Sequence, residues 1–525
     1  MWFRDLKQGE RRLSLDDLGF RKGFLIAFLV GFAVRLIPEI LSYPYPIGWD
    51  SIYYAYRISD GALFGYWNDV FSAWLPYGIM ISLGNLTRLD PFMLLKIVAP
   101  LLYGGTSAGV FFVAWKKLDW SVTKSLLASG FFAFQLAALA VSWQFYRNVF
   151  GVMILLFALP FLRSDIGWKG TAVLSVLGLL IAWGHELATI SLFFIVFGLL
   201  MLSVLRKEKI SYRLFVAIIP ALIIFFGNFL WISPYAAPLE RNMVWLRDST
   251  WAHPGGLFFL TDYLSVSTPI ESYSSYFELF YHVGSLFVLL YAIVLPLIAV
   301  GYFRDRVFGV WTFLLLVGGL GCLVVPFSAL LLWGRWMLML VFPFTFFAVN
   351  GLWKVTKSLE GVSVSRFIGW FKVTKKVGYG LALVSVIVGG LFMTWPLVDG
   401  KYGVIGWEGT FKYVPSTMQS SSVPLRDTEG VIEAYKWLNR NMDGDSSLLV
   451  HDVFEFWTLL YLDHDYTAFV FDSDLEAASN RAVDEGFSSA YFVWWNQDIG
   501  WYNLRLQDDW VLVQDYGRIS VFKIV

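Results

Sequence analysis

The sequence has a single cysteine, little charge and no excess of basic residues, and each shortage excludes a class of protein. Cys322 alone can form neither an intramolecular disulfide nor a cysteine-rich metal site. Basic and acidic residues balance at 40 each, which argues against a nucleic-acid partner, because phosphate binding needs a basic surface. Charged residues make up only 15% of the 525 residues and hydrophobic residues 57%, whereas soluble proteins carry about 25% charge. We therefore expect most of the chain to lie in a lipid bilayer.

Apolar runs long enough to cross a bilayer recur along the first 396 residues. A hydrocarbon core of about 30 Å requires roughly 20 apolar residues per helix. On that criterion the sequence predicts eleven transmembrane helices, at 22–41, 93–115, 122–143, 149–163, 169–184, 187–205, 212–232, 277–303, 307–325, 335–352 and 377–396. No small-residue cleavage site follows the first run, which indicates a retained span and not a secretory signal.

Basic residues occur in every second loop, and this alternation predicts the orientation. They lie before the first span and near 116–124, 163–169, 206–213, 304–306 and 354–376. Because basic loops collect on the cytoplasmic side, we expect a multi-pass cell-membrane protein with a cytoplasmic N-terminus and the residues after 397 outside. The apolar segment 71–86 would break the alternation if it crossed the membrane, so we interpret it as a helix on the outer leaflet. Two long outer loops result, 42–92 and 233–276.

Beyond the last span the pattern becomes that of a soluble domain. It predicts a helix over 427–441 with Thr428 as a possible N-cap. It then predicts three strands at 447–451, 468–472 and 490–495 and a second helix at 475–485. A hairpin over 510–524 turns at Tyr516-Gly517. The predicted architecture is a polytopic helical membrane domain, 1–396, followed by a small extracytoplasmic α/β domain, 397–525.

Ionisable residues at the rim of a membrane are costly, so each is a candidate functional residue. The first outer loop begins with GWDSIYY at 48–54. Its carboxylate, Asp50, could act as a general base or a metal ligand, and three aromatic residues could contact a sugar or an acceptor: Trp49, Tyr53 and Tyr54. The alternative is an aromatic belt at the membrane interface with Asp50 as a helix N-cap.

A second carboxylate, Glu271, lies in TPIES at 268–272, at the end of the other long outer loop. Lowered over Asp50, it could share a divalent cation such as Mg²⁺ or Mn²⁺, or divide acid and base roles with it. The alternative is an exposed loop glutamate.

Cationic side chains in short outer loops form another set of candidates. Arg147 and His185 could bind an anionic headgroup, with the neighbouring Glu186 as an acceptor or sugar contact; snorkelling and capping are the alternatives. Arg335, in the sequence WGRW at 333–336, suits a lipid phosphate because a guanidinium binds phosphate bidentately. An interfacial anchor is its alternative.

One further pair, Arg35 and Glu39, lies four residues apart in the first span. That spacing puts both side chains on one helix face, and we expect a structural ion pair.

The order of these pieces resembles the GT-C membrane glycosyltransferases, and most nearly the catalytic subunit of archaeal oligosaccharyltransferase. In that family an essential Asp lies in the first outer loop, as Asp50 does, and an Arg opens the short second loop, as Arg147 does. A Thr-x-x-Glu element is similar to 268–271, and an Arg that meets the lipid phosphate opens a late span, as Arg335 does. The soluble domain also begins similarly, with EAYKWLN at 433–439.

Two departures limit what the resemblance implies. The acceptor-reading WWDYG motif is absent, since 450–456 reads VHDVFEF and the pair Trp494-Trp495 comes too late. The second-loop metal carboxylates are also missing, because NVFG follows Arg147. The resemblance still implies a polyprenyl (dolichyl) phosphate donor, but it does not extend to sequon glycosylation.

The sequence thus predicts a glycosyltransferase that moves a sugar from a polyprenyl-phosphate carrier to a glycan, lipid or protein acceptor outside the cytoplasm. Arg335 would hold the phosphate with Arg147 or His185, Asp50 would deprotonate an acceptor hydroxyl, and Glu271 would bind a cation or position the acceptor. One alternative is a divergent oligosaccharyltransferase with a metal between Asp50 and Glu271. Another is a lipid or sugar transporter, although neither the discontinuous helices nor the inverted repeats of transporters are evident.

Overall fold

The computed structural model describes most of both predicted domains. The described residues are 18–48, 50–64, 67–209, 211–231, 243–245, 276–324, 333–358, 380, 383–390, 423–463, 465–471, 474–496, 506 and 510–524. Of the predicted site residues, Trp49 and Glu271 lie outside these ranges.

Helices occupy the segments that hydropathy assigned to the membrane, and two more, Ser51–Asp60 and Leu75–Thr87, lie in the predicted loop 42–92. In the described ranges up to residue 358 they are α1 (Gly19–Leu41), α2 (Ser51–Asp60), α3 (Leu75–Thr87), α4 (Pro91–Lys116), α5 (Val122–Ala133), α6 (Leu136–Gln144), α7 (Tyr146–Ala158), α8 (Trp168–Gly184), α9 (Glu186–Leu205), α10 (Tyr212–Trp231), α11 (Tyr276–Tyr291), α12 (Leu295–Gly301), α13 (Arg306–Val324), α14 (Trp333–Met339) and α15 (Val341–Ser358).

Within the described residues, four helical stretches are long and apolar enough to cross a bilayer alone: α1, α4, α9 and Trp333–Val355. Two bent helix pairs raise that number to six, and α7, α8, α10 and α13 contain shorter apolar helices. All of them coincide with predicted spans, which supports a membrane location. The total of eleven spans stays a prediction, because 377–396 lies mostly outside the described residues.

Sharp bends break two predicted spans, so the expectation of no discontinuous helices was wrong. Helices α5 and α6 meet at 60°, and α11 and α12 meet at 70°. At the first bend, the side-chain amide of Gln135 donates to Thr345 Oγ1 at 2.6 Å. At the second, Pro296 lies in the first turn of α12, where its missing N–H is tolerated. Hydropathy did not reveal either bend because apolar residues continue on both sides.

The C-terminal domain is built on one six-stranded sheet. Its strands are β1 (Met243–Trp245), β2 (Ser446–His451), β3 (Thr467–Phe471), β4 (Ser489–Trp495), β5 (Val511–Asp515) and β6 (Ile519–Ile524), and their order is β1-β3-β2-β4-β6-β5. The first four are parallel to one another, and β6 pairs antiparallel with β4 and β5. Two helices predicted from sequence, α16 (Leu425–Asn441) and α18 (Leu475–Asp484), are also present.

Three details of this domain differ from the expectation. Thr428 does not cap α16: the helix begins after Pro424, and the Thr428 hydroxyl donates to the Pro424 carbonyl at 3.1 Å. A helix that was not predicted, α17 (Glu455–Tyr461), follows β2. Strand β1 comes from the predicted loop 233–276 and pairs with β3, so that loop contributes to the sheet. The domain boundary at 396 lies outside the described residues and stays a prediction.

The C-terminal domain packs against the first outer loop. One buried apolar cluster combines Ile52 and Tyr54 of α2 with Phe454 and Trp457 beside and within α17. Burying each such large apolar side chain contributes about 1.5–3 kcal/mol. We call the end of the helix bundle that bears α2, α3 and this sheet the sheet end.

The opposite end holds the basic loops. Lys117 Nζ lies 3.8 Å from Asp305 Oδ2, and Lys354 Nζ donates to the Val300 carbonyl at 3.3 Å. Loops of the two predicted sides therefore gather at different ends of the bundle. Which end faces outward stays a prediction.

Candidate active site

Asp50 stands at the N-cap position of α2 but does not cap it. Its backbone carbonyl accepts the Tyr54 N–H at 3.0 Å, whereas its side chain makes no capping hydrogen bond to the helix. The capping alternative is therefore wrong. The carboxylate is left available for other contacts at the sheet end.

The backbone that carries Asp50 is held in a tight approach to the end of α6. Gly48 has φ +138°, and a Cβ at this position would lie 1.7 Å from the Trp143 carbonyl oxygen. Only glycine is accommodated in such a conformation and at such a distance. The backbone just before Asp50 therefore lies against the end of α6, next to the α6–α7 junction.

Two arginines act electrostatically on Asp50. Burial raises the pKa of the Asp50 carboxyl above its usual value, and the positive charges of Arg335 and Arg147 oppose this rise. The described site therefore places one carboxylate near two guanidinium groups that come from α14 and α7. A carboxylate with a raised pKa is a stronger base.

Arg335 stacks on an aromatic ring. Its guanidinium carbon lies 4.1 Å from the Phe145 ring centre, and its Nε is buried without a hydrogen-bond partner among the described residues. The flanking Trp333 and Trp336 are each only 6% exposed. This burial does not fit an interfacial anchor, whose rings would lie at the membrane surface.

The positive charge of Arg147 is partly neutralised by a carboxylate in the next short loop. Its Nη2 donates to Glu186 Oε1 at 2.6 Å, and its guanidinium carbon lies 5.4 Å from the Tyr77 ring centre. Its backbone N–H donates to the Tyr54 hydroxyl at 3.3 Å. The predicted sugar contact Glu186 is thus an ion-pair partner of Arg147 in this structure.

His185 caps α9, as the alternative interpretation proposed. Its Nδ1 accepts the Leu187 N–H at 3.1 Å, and its Nε2 lies 3.9 Å from Glu186 Oε2. Burial lowers the pKa of His185 to about 3; the charge of Glu186 opposes this shift, and those of Arg147 and Arg335 add to it. A neutral imidazole with Nδ1 accepting carries its proton on Nε2. His185 can therefore donate one hydrogen bond but adds no positive charge near pH 7.

The two tyrosines of the first loop differ in their surroundings. Tyr54 is 4% exposed and packs its ring against Tyr146 at 4.9 Å and Tyr77 at 5.6 Å between ring centres. Its ring is thus packed between other aromatic rings in this structure, and its role as an acceptor or sugar contact stays a prediction. Tyr53 is half-buried and lies 5.0 Å from Phe456 of α17 between ring centres.

Two residues close to Arg147, namely Arg57 and Tyr77, were not identified from the sequence as candidates for the site. The Arg57 guanidinium carbon lies 5.0 Å from the Tyr77 ring centre, which Arg147 also contacts. Arg57 follows Asp50 by two helical turns, and this spacing was a usable signal for a shared helix face. Tyr77 lies in the apolar segment 71–86, where nothing in the sequence marked it.

A metal site is not evident in the described residues. No group of three or more His, Cys, Asp or Glu side chains that could hold a metal ion occurs among them. Of the carboxylates predicted for the site, Asp50 lies near two cationic side chains and Glu186 is paired with Arg147. The other proposed ligand, Glu271, lies outside the described residues.

Comparisons with known proteins find similarity in fold only. No family model and no curated protein matches the sequence. The solved structure of ArnT from Cupriavidus metallidurans in the apo state is 12% identical, with a TM-score of 0.53 over 96% of this chain and 98% of ArnT. The same protein bound to undecaprenyl phosphate is 12% identical, with a TM-score of 0.50 over 95% of this chain and 96% of ArnT.

A third solved structure is more distant. Arabinofuranosyltransferase AftD from Mycobacteria is 12% identical and covers 94% of this chain and 39% of its own, with a TM-score of 0.48, which is too low for an inference. At these identities the likeness to ArnT shows the fold alone, and membership of the GT-C glycosyltransferases stays a prediction. The nearer relation to oligosaccharyltransferase stays a prediction.

Proposed function

We propose that this protein is a membrane glycosyltransferase that takes a sugar from a polyprenyl-phosphate carrier. The observation that carries the proposal is the uncapped carboxylate of Asp50 next to Arg335 and Arg147. A base beside two guanidinium groups suits a reaction in which a hydroxyl loses a proton while a phosphate leaves. ArnT, which shares the fold, was solved with undecaprenyl phosphate bound, and this supports a carrier of that class.

Arg335 is the better candidate for holding the donor phosphate. Its guanidinium lies over the Phe145 ring, and the Nε atoms of both Arg335 and Arg147 lack a hydrogen-bond partner among the described residues. Arg147 already donates to Glu186, so it contributes mainly long-range attraction. His185 contributes at most one neutral hydrogen bond.

The reaction then proceeds by inversion at the anomeric carbon. Asp50 removes the proton of the acceptor hydroxyl, and the oxygen forms a bond to the anomeric carbon. The bond from that carbon to the phosphate oxygen breaks, and its electron pair leaves with the polyprenyl phosphate, where Arg335 stabilises the added charge. No step requires a metal. The role of Glu271, as a cation ligand or in acceptor positioning, remains part of the proposal.

The sugar donor can be identified directly. Purified protein in liposomes is supplied with a panel of radiolabelled polyprenyl-phosphate sugars and a membrane extract as the source of acceptor. We expect release of label from one carrier by wild type and none by Asp50→Asn. If no donor is consumed, or if both proteins consume it equally, the proposal is wrong. A parallel reaction with EDTA distinguishes this mechanism from that of a divergent oligosaccharyltransferase, because metal-dependent transfer would stop.

Transport is a second candidate, because the two bent helix pairs are typical of transporters. The charged groups of the candidate site, however, lie at the sheet end and not at mid-depth. Movement of intact labelled lipid across liposomes without breakage of its sugar bond would favour transport over transfer.

A further inference from the structure

Three buried charges form a network between α1 and α4. Arg35 Nη1 lies 2.6 Å from Glu39 Oε1, which confirms the expected ion pair. Lys96 Nζ lies 3.3 Å from Glu39 Oε2 and donates to the Glu39 carbonyl at 2.6 Å. Arg35, Glu39 and Lys96 are exposed by 0, 2 and 6%. Two cations share one carboxylate, and apolar residues in place of a buried pair are often at least as stable, so stability alone does not explain the network.

The network is bonded to the segment that leads to Asp50. Lys96 Nζ donates to Ser42 Oγ at 2.9 Å, and Ser42 Oγ donates to the Tyr45 carbonyl at 2.7 Å. Arg35 Nη2 donates to the Ile47 carbonyl at 3.4 Å. The segment 42–48 is therefore held near both of its ends.

The Ile47 carbonyl is where the network meets the candidate site. Besides Arg35, it accepts hydrogen bonds from Ser51 Oγ at 3.0 Å and from the Tyr146 hydroxyl at 3.2 Å. Ser51 directly follows Asp50. Arg35 of the buried network and the side chain of Ser51 thus donate to the same carbonyl oxygen, three residues before Asp50.

We propose that Arg35 is a positioning residue for Asp50, acting through the Ile47 carbonyl while Glu39 and Lys96 hold the guanidinium in place. The inference rests on the proposed function, since it takes Asp50 as the base. Arg35 touches neither donor nor acceptor in this scheme. A misplacement of a catalytic group by about 1 Å costs on the order of a hundredfold in rate, so its loss should appear in kcat.

The kinetic test compares Arg35→Met and Arg35→Lys with wild type. We expect Arg35→Met to lower kcat about ten- to a hundredfold, with KM for the donor changed less than about twofold because Arg335 is untouched. Arg35→Lys should recover part of the loss, since it keeps the charge. Equal kcat in wild type and Arg35→Met would overturn the inference.

Lys124→Met is the matched control. Lys124 is also a buried cation, but its contacts lie with the basic loop 116–124 at the opposite end: it donates to Asn350 Oδ1 at 2.7 Å and lies 3.8 Å from the Trp120 ring centre. This variant should lower the melting temperature without changing kcat. If it lowers kcat as much as Arg35→Met does, the effect is one of general stability and the inference is wrong.

A milder variant tests the route through the Ile47 carbonyl. Tyr146→Phe keeps the ring and removes one donor to the Ile47 carbonyl. It should lower kcat in the same direction but less, and it keeps the test informative if Arg35→Met does not fold.

Hydrogen exchange separates this inference from the proposed function. Exchange in peptides covering 42–54 should quicken in Arg35→Met and not in Lys124→Met. If wild type transfers no sugar, the proposed function fails, while faster exchange would still support Arg35 as the anchor of this segment. Transfer by wild type with unchanged exchange in Arg35→Met would overturn the inference alone.

Discussion

The guanidinium carbon of Arg335 lies 4.1 Å from the centre of the Phe145 ring, at the junction of α6 and α7. Stacking of this kind engages the flat face of the guanidinium and leaves the N–H groups in its plane to bind a planar or tetrahedral anion. The same junction lies beneath the loop that carries Asp50, because Gly48 approaches the Trp143 carbonyl. The proposed phosphate ligand and the proposed base thus share one structural support.

Replacing Arg335 should weaken donor binding more than it weakens the fold. Loss of a charge-assisted hydrogen bond costs about 1.5–3 kcal/mol, which corresponds to roughly ten- to hundredfold weaker affinity for the lipid phosphate. Arg335→Lys should recover only part, since an ammonium lacks the planar fork. Binding of polyprenyl phosphate and melting temperature are measured together. Arg163→Ala, at an exposed arginine, is the control, and unchanged affinity in Arg335→Ala would refute the role.

Asp50→Asn should abolish transfer and leave the melting temperature nearly unchanged, because the side chain caps nothing. A general base contributes about a hundred- to ten-thousandfold in rate. Asp90 is the control, because its side chain does cap a helix: Asp90 Oδ1 accepts the Phe92 N–H at 2.9 Å at the start of α4. Asp90→Ala should cost about 1 kcal/mol of stability and leave transfer intact. An Asp50→Asn enzyme with more than about a tenth of the wild-type rate would contradict the assignment.

The pH dependence of transfer should report the Asp50 carboxyl. Since burial raises its pKa, the active carboxylate is lost as pH falls, and the acid limb of kcat/KM should lie above the range of an ordinary aspartate. Arg147→Gln removes a charge that lowers this pKa, so the acid limb should move to still higher pH. A pH–rate profile of both proteins checks this. A shift to lower pH would show that another group controls the limb.

His185 should make the folded protein sensitive to mild acid. The folded state holds its pKa at about 3, below the unfolded value of about 6.5, so the unfolded state binds the extra proton. Its contribution to stability is complete above the unfolded pKa and falls as pH drops from there toward the folded pKa. In His185→Asn, which retains a capping side chain, the melting temperature should fall less between pH 7 and 5. An equal fall would show that other groups dominate.

The orientation of the chain can be tested by labelling. In a Cys322→Ser background, Glu476→Cys, at an exposed position of α18, should react with an impermeant thiol reagent on intact cells. Lys209→Cys, exposed in a loop that the basic pattern assigns to the cytoplasm, should react only after permeabilisation. The reverse pattern would overturn both the topology and a reaction outside the cytoplasm.

Local features were predicted well from sequence. The strands observed at Ser446–His451, Thr467–Phe471 and Ser489–Trp495 lie within one residue of their expected bounds, because a short run of apolar, β-branched and aromatic residues is a property of each segment. The pairing of Met243 with Ala468 was not predicted, since these residues are far apart in the chain. The bends at Gln135 and beside Pro296 were missed for a related reason, as an apolar run looks the same whether straight or broken.

For the candidate site, too, the positions of residues were predictable from the sequence, whereas their contacts were not. The positions of Asp50, Arg147 and Arg335 in loops and at span ends were evident, because the cost of placing charge near a bilayer belongs to each residue. Whether Asp50 capped α2 or faced two arginines depended on contacts with α7 and α14. The same holds for Tyr54, whose ring is covered by Tyr146 and Tyr77.

The sequence by itself determined the apolar helices and the helices and strands of the C-terminal α/β region, because hydropathy and short apolar runs are set by neighbouring residues. Only the tertiary structure decided which polar groups meet. It brought Arg35 to the Ile47 carbonyl, paired Arg147 with Glu186 and left the Asp50 side chain without a cap. Such contacts depend on how distant helices pack, and helices with similar apolar faces can pack in many ways that their sequences alone do not distinguish.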